Sequence, residues 1–108
     1  MFLQTNDEKS LLLYFETQAV DYGGLIESAR MNDSDFAKAK EWDSLGFIRF
    51  GRIAYADIKI KNGVAHDHWC VFSDEAWLVA HAERRARGER LMSKLTVQRN
   101  GLLATAQI

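Results

Sequence analysis

The chain has 108 residues, 47% of them apolar and 27% charged, with twelve aromatic side chains (three Trp, three Tyr, six Phe). These values exclude an intrinsically disordered segment and leave room for one compact core. A formal net charge of −1 removes any whole-molecule drive toward nucleic acid or an anionic membrane, and no apolar run approaches membrane-spanning length.

Charge is unevenly spread along the chain. Residues 1–27 carry Lys9 against Asp7, Glu8, Glu16, Asp21 and Glu27, whereas residues 28–61 hold Arg30, Lys38, Lys40, Arg49, Arg52, Lys59 and Lys61 against Asp33, Asp35, Glu41, Asp43 and Asp57. An anionic partner would meet the middle of the chain first. Cys70 is the only cysteine, so no internal disulfide forms, which fits a reducing compartment. The start of the chain has no basic segment followed by an apolar run, so no secretion signal is expected. The expected setting is cytoplasmic, without a membrane partner. With no proline, no low-complexity tract and no repeat, residues 1–108 are expected to form a single domain.

The first element reads as a helix from Asp7 to Tyr22. Leu11, Leu12, Phe15, Ala19 and Tyr22 recur at the spacing of one buried face. Asn6 or Asp7 is the expected cap, and Gly23-Gly24 ends the helix. Leu13, Thr17 and Val20 form a second, narrower stripe, read either as a face covered within the domain or as a dimer interface.

Leu25-Ile26-Glu27 is long enough only for a bridge or small strand. From Met31 to Gly46 a second helix is expected, with Asp33 or Ser34 as cap and acids crowding its first turn. Phe36, Ala39 and Trp42 fall on its inner side with Leu45 at the edge; Ala37, Lys40, Glu41 and Ser44 point away.

Phe47 to Ile53 reads as a strand, with Gly51 a candidate bulge. A second extended run covers Ile58 to Lys61. Asn62-Gly63 is a strong hairpin signal, and the return strand is expected from His66 to Phe72. Ser73 should cap a last long helix. Leu78, Val79, Ala82 and Ala86 are expected on one side of it, and Trp77, Ala80, Leu91 and Leu95 on another. From Thr96 onward a small hairpin around Asn100-Gly101 and an extended arm both remain open.

This order of elements resembles the winged helix-turn-helix fold from about Leu11 to Ala86. Trp42-Asp43-Ser44-Leu45-Gly46-Phe47-Ile48 carries the likeness, looking like the end of a recognition helix leading into a wing. The implied architecture is α+β and winged-helix-like, with helices packed on a small antiparallel β-hairpin sheet and a long C-terminal helix. In that fold the hairpin from Phe47 to Phe72 would be the wing. The chain also resembles small proteins of phages and prophages. It departs from the pattern between Ile26 and Asp33, where the family places a full helix and turn. Here there is room for a single turn around Ser28-Ala29-Arg30-Met31.

The resemblance implies contact with DNA through the second helix and the wing. Lys38, Lys40 and Ser44 are the candidates on the helix, and Arg49, Arg52, Lys59 and Lys61 those on the wing. Against it, Asp33, Asp35, Glu41 and Asp43 would repel phosphates, and no Arg, Asn or Gln lies between Ser34 and Leu45 to read base edges in pairs. Candidates for a protein partner or homodimer interface are Leu13, Thr17, Val20, Arg84 and Arg87. The last two belong to the run Arg84-Arg85-Ala86-Arg87-Gly88-Glu89-Arg90, whose arginines point in several directions.

His66-Asp67-His68-Trp69-Cys70 is the one stretch rich in metal-ligating residues. Alternate positions on a strand lie about 6.5 Å or more apart, too far for one ion to gather them, so no metal is expected. No catalytic residue and no cofactor are expected either, because no glycine-rich phosphate loop or nucleophile with its base and oxyanion site is present. The chain therefore reads as a winged-helix-type binding module, a small DNA-binding regulator rather than an enzyme. The alternative is a protein-binding inhibitor or adaptor of the phage type, such as an anti-CRISPR-like protein acting on a host defence complex.

Overall fold

The computed structural model describes the backbone of residues 3–106 and their side chains except those of 59, 61 and 96–106. Helix α1 (Asn6–Tyr22) is capped by Thr5, one residue earlier than expected, whose side-chain oxygen accepts from the Glu8 amide at 3.1 Å. Leu11, Leu12 and Phe15 enter the core as the spacing predicts, with Leu12 and Phe15 fully buried. Leu13 is buried as well, whereas Tyr22 and Val20 stay exposed.

A two-residue strand, β1 (Leu25–Ile26), and one 3-10 turn at Ser28–Arg30 lead to α2 (Asp33–Ser44). The α2 cap is Asn32 rather than Asp33 or Ser34. Its side chain accepts from Asp35 N at 2.8 Å while the Asp35 carboxylate accepts from Asn32 N at 3.1 Å, a reciprocal capping box. Ala39 and Trp42 are buried, but Leu45 is 63% exposed. After Trp42 the chain tightens through Gly46 N→Asp43 O and Phe47 N→Trp42 O bonds. That turn swings Phe47, only 2% exposed, into the place the periodicity assigned to Leu45.

Strands β2 (Ile48–Arg52) and β5 (His68–Phe72) pair antiparallel along their whole length, and β1 joins the far side of β5, giving the order β1-β5-β2. Between β2 and β5 stand a 3-10 turn at Tyr55–Asp57 and a separate two-stranded ribbon, β3 (Lys59–Lys61) with β4 (Val64–His66). Asn62 and Gly63 both take positive φ, 53° and 77°, as a two-residue hairpin turn requires. The expected continuous hairpin from Phe47 to Phe72 is thus broken in two, and its return strand is interrupted at Asp67. The Asp67 amide donates to Ile26 O and its carbonyl accepts from Ile53 N, so this residue ties β1 to the end of β2. Gly51 is no bulge: it pairs in register with Trp69, whose indole lies where a Cβ would be, 2.6 Å away.

The last helix, α3 (Asp74–Ala106), starts on Ser73, whose hydroxyl accepts from Ala76 N at 3.1 Å and donates to Phe47 O at 2.6 Å. Its small Ala76 and Ala80 are fully buried and let the helix lie close on the sheet, with Trp77 and Val79 packed at the margin. The sequence pattern misplaces the larger residues, since Leu78, Leu91 and Leu95 are all more than half exposed. The backbone from Thr96 continues as helix to Ala106 rather than folding into a hairpin. At about 1.5 Å per residue α3 spans roughly 50 Å, most of the 66 Å long axis. The core joins Leu12, Phe15, Ile26, Trp42, Phe47 and Ile48, all at 2% exposure or less. Phe15 meets Trp42 edge-on, and Trp42 meets Phe47 the same way. Each such side chain contributes on the order of 1.5–3 kcal/mol by leaving water, enough to seat α2 and β2 as one unit.

Candidate nucleic-acid interface

The expected contact residues are spread over α2, β2 and β3, and several are already engaged. Lys38 Nζ lies 2.8 Å from Glu41 Oε2 and 3.6 Å from Glu8 Oε1. The hydrogen bond to Glu41 holds its ammonium pKa above the usual lysine value. The Ser44 hydroxyl donates back to Lys40 O at 2.9 Å, a bond that satisfies it within its own helix. Arg49 Nε stands 3.6 Å from Asp43 Oδ1, the same oxygen that accepts from Phe50 N at 3.0 Å. Lys40 and Arg52 are exposed and make no ion pair with a described residue. The side chains of Lys59 and Lys61 lie outside the described residues, although their backbone forms β3. Tyr55, which the sequence reading passed over, is 92% exposed in the turn after β2. Its neighbours Ala54 and Ala56 gave no sign in the sequence of how open this turn is.

The root of the ribbon is fastened by a partly buried polar cluster. Ser28 donates to Asp67 twice, from its amide to Oδ1 at 3.0 Å and from its hydroxyl to Oδ2 at 2.5 Å. His68 Nδ1 lies 3.1 Å from Asp67 Oδ1, and its ring stacks on Phe50 at 5.4 Å and 11° while meeting Phe36 edge-on. Burial pushes the Asp67 carboxyl up, but the bonds from Ser28 and His68 outweigh it and hold the group at about 2. His66 instead packs on Tyr22. Cys70 is buried beneath the sheet, where desolvation pushes its thiol up to about 12. The histidines and the cysteine thus hold the strands in place. Among the described residues no group of three or more His, Cys, Asp or Glu could hold a metal ion.

The residues expected at a partner interface meet mostly inside the chain. Arg84 binds the Glu16 carboxylate through Nε and donates through Nη2 to Leu13 O at 3.2 Å and to Thr17 Oγ1 at 3.1 Å. Arg87 bonds Ser10 and Glu83. These contacts join α1 to α3, and of the five residues Val20 alone is left with an open apolar side chain, 68% exposed. Glu16 is the residue the sequence reading missed. Its side chain is 4% exposed, and its second oxygen, Oε2, makes no hydrogen bond and lies 3.5 Å from His81 Nε2. A mid-helix glutamate amid an apolar stripe was its only sequence signal. Beside it a groove of about 500 Å³ opens between α1 and α3, lined by Thr17, Val20, Asp21, His81, Arg84 and Arg85.

Compared with protein families, curated proteins and solved structures, the chain matches none. No helix among the described residues is long and apolar enough to cross a membrane.

Proposed function

We propose that the protein is a winged-helix-type binding module, a small regulator that grips duplex DNA through the β2 edge and the β3–β4 ribbon. The observation that carries this reading is that Arg49 and Arg52 of β2 and the nearly bare Tyr55 of the turn after it are all exposed along the stretch that leads into the ribbon. The pairing of β2 with β5 beside β1, directly after α2, supports taking the Phe47–Phe72 region as a wing. The single turn at Ser28–Arg30 in place of a full helix, together with the engaged Lys38 and Ser44, weighs against base reading by α2. Binding on this reading is dominated by phosphate contacts and depends weakly on sequence.

Titration of a fluorescent random duplex at low salt tests it. Binding should be measurable and should weaken on neutralising Arg52 or the pair Lys59 and Lys61. No binding by micromolar protein removes the reading. A protein-binding inhibitor or adaptor is the second reading, favoured by the exposed Leu91, Met92 and Leu95 on α3. A stoichiometric protein partner that survives nuclease treatment, with no duplex binding, would select it.

A further inference from the structure

We infer that two copies of this chain associate by exchanging the outer part of α3, each laying it in the α1–α3 groove of the other. Neither reading of function is needed for this. Among the described residues the last hydrogen bond from α3 to α1 is Arg87 with Ser10, yet the helix continues to Ala106. That leaves roughly 27 Å of helix beyond Gly88. A helix of this length holding Gly88 and Asn100-Gly101 is marginal alone in water, so its persistence calls for a surface to lie on.

Its shape points to another helix. At about 100° per residue Gly88, Leu91, Met92 and Leu95 share one stripe roughly 100° wide, and the three large side chains are 61%, 66% and 57% exposed. A Cβ on Gly88 would meet nothing within 4 Å, so the chain's own packing does not require a glycine there. Its cost in a helix, about 1 kcal/mol against alanine, is offset if a second helix crosses closely at that point.

Charge points to a second copy rather than an acidic or nucleic-acid partner. Arg85 is paired with Glu89, and Arg87 and Arg90 with Glu83; of the cations of this segment whose side chains are described, Lys94 makes no ion pair with a described residue. The groove sets Glu16 and Asp21 against Arg84 and Arg85, but Arg84 is taken up by Glu16 and Arg85 by Glu89, so Asp21 is left without an ion pair to a described residue, and buried Glu16 Oε2 has no hydrogen bond. An antiparallel crossing at Gly88 generates a two-fold axis. It sets Leu95 of one copy beside His81 of the other, at the groove lined by Thr17 and Val20, and brings Lys94 toward Asp21.

Sedimentation velocity on the full chain over a range of concentrations tests this. The expected result is a species of twice the chain mass, converted to monomer in Leu91→Glu/Leu95→Glu. Lys94→Glu and Asp21→Lys should each raise the dissociation constant severalfold, and the double exchange should restore it. Restoration also shows that the single variants fold. A monomer at every concentration, a dimer indifferent to the arm substitutions, or a mass gain seen only with added duplex would each overturn the proposal.

Discussion

Replacing Asp43 by Asn tests whether the β2 edge meets phosphates. Asp43 sits 3.6 Å from Arg49 Nε, and a phosphate held by Arg49 adds a charge-assisted contact of about 2.8 Å. The carboxylate and phosphate charges would then stand about 6–7 Å apart. In water that repulsion is worth roughly 0.6 kcal/mol, so Asp43→Asn should tighten duplex binding about threefold at low salt, and less as salt screens it. Asn keeps an Oδ1 that can accept from Phe50 N, as Asp43 does at 3.0 Å, so the fold should lose at most about 1 kcal/mol. Arg49→Ala is the counterpart. It should weaken binding and make the plot of log affinity against log salt shallower by about 0.9, one phosphate contact. Fluorescence anisotropy over a salt series reads both. If Asp43→Asn leaves affinity unchanged and Arg49→Ala leaves the slope unchanged, the β2 edge does not touch phosphate and the reasoning fails.

Gly24→Ala should cost about 2–4 kcal/mol in urea unfolding, because its φ is +93° and its Cβ would stand 2.4 Å from the Cys70 carbonyl. Gly23→Ala, at a similar backbone conformation with open space around it, should cost only about 1–2 kcal/mol; equal losses would mean that the close approach to β5 is not limiting. Asp67 is depressed to about 2 in the folded state, so its contribution, about 2 kcal/mol, is present above about pH 4 and lost as pH falls toward 2. Asp67→Asn should therefore lose stability at neutral pH, with the gap to the parent closing by pH 2 in acid titrations followed by circular dichroism. Cys70, raised to about 12, stays protonated in the fold. The stability linked to it is whole below the unfolded thiol's pKa near 9 and lost as pH climbs toward 12. Alkylation at pH 8 should accordingly follow global unfolding; rapid labelling of native protein would contradict the burial of this thiol.

What the sequence displayed depended on how local each cause was. The α2 face, the α1 face as far as Phe15, the Asn62-Gly63 turn and the Ser73 cap arise from neighbours within a few residues and were legible, whereas Tyr22 at the end of α1 stays exposed. Leu45 and Phe47 exchanged roles because a tight turn after Trp42 rotates the chain, which periodicity through the helix end does not register. The break in the return strand comes from Ser28, 39 residues from Asp67, and nothing local marks Asp67 as the residue that leaves the ladder. On α3 the pattern placed Trp77 and Ala80 on an inner side but missed Ala76, and it carried Leu78, Leu91 and Leu95 along as lining residues although the structure turns them outward. Of the contact residues, Arg49 could be placed on the outer face of β2 from alternation, whereas Arg52 falls in phase with Ile48 and Phe50 and is exposed only because it ends the strand. Tyr55 became visible as a candidate only once the turn that carries it was known.

The same distinction between local and distant pairing decides how the basic residues should be weighed. Lys38 with Glu41, Arg85 with Glu89 and Arg87 with Glu83 stand three or four residues apart on one helix, a spacing at which opposite charges meet as soon as the helix forms. A count of cations along the chain overstates what such segments offer a phosphate, because each arginine must first be drawn from a carboxylate already beside it. Arg84 is spent differently, on a glutamate that folding buries. Binding strength should then follow the cations without an ion pair to a described residue, among them Lys40 and Arg52 on α2 and β2 and Lys94 on the outer part of α3, more closely than it follows the densest basic run. Exposed ion pairs are individually weak, about 0–1 kcal/mol, so this ordering is a matter of degree at low salt and fades as screening rises. Arg85→Ala should thus change duplex affinity less than Arg52→Ala, although Arg85 lies in the richer cluster.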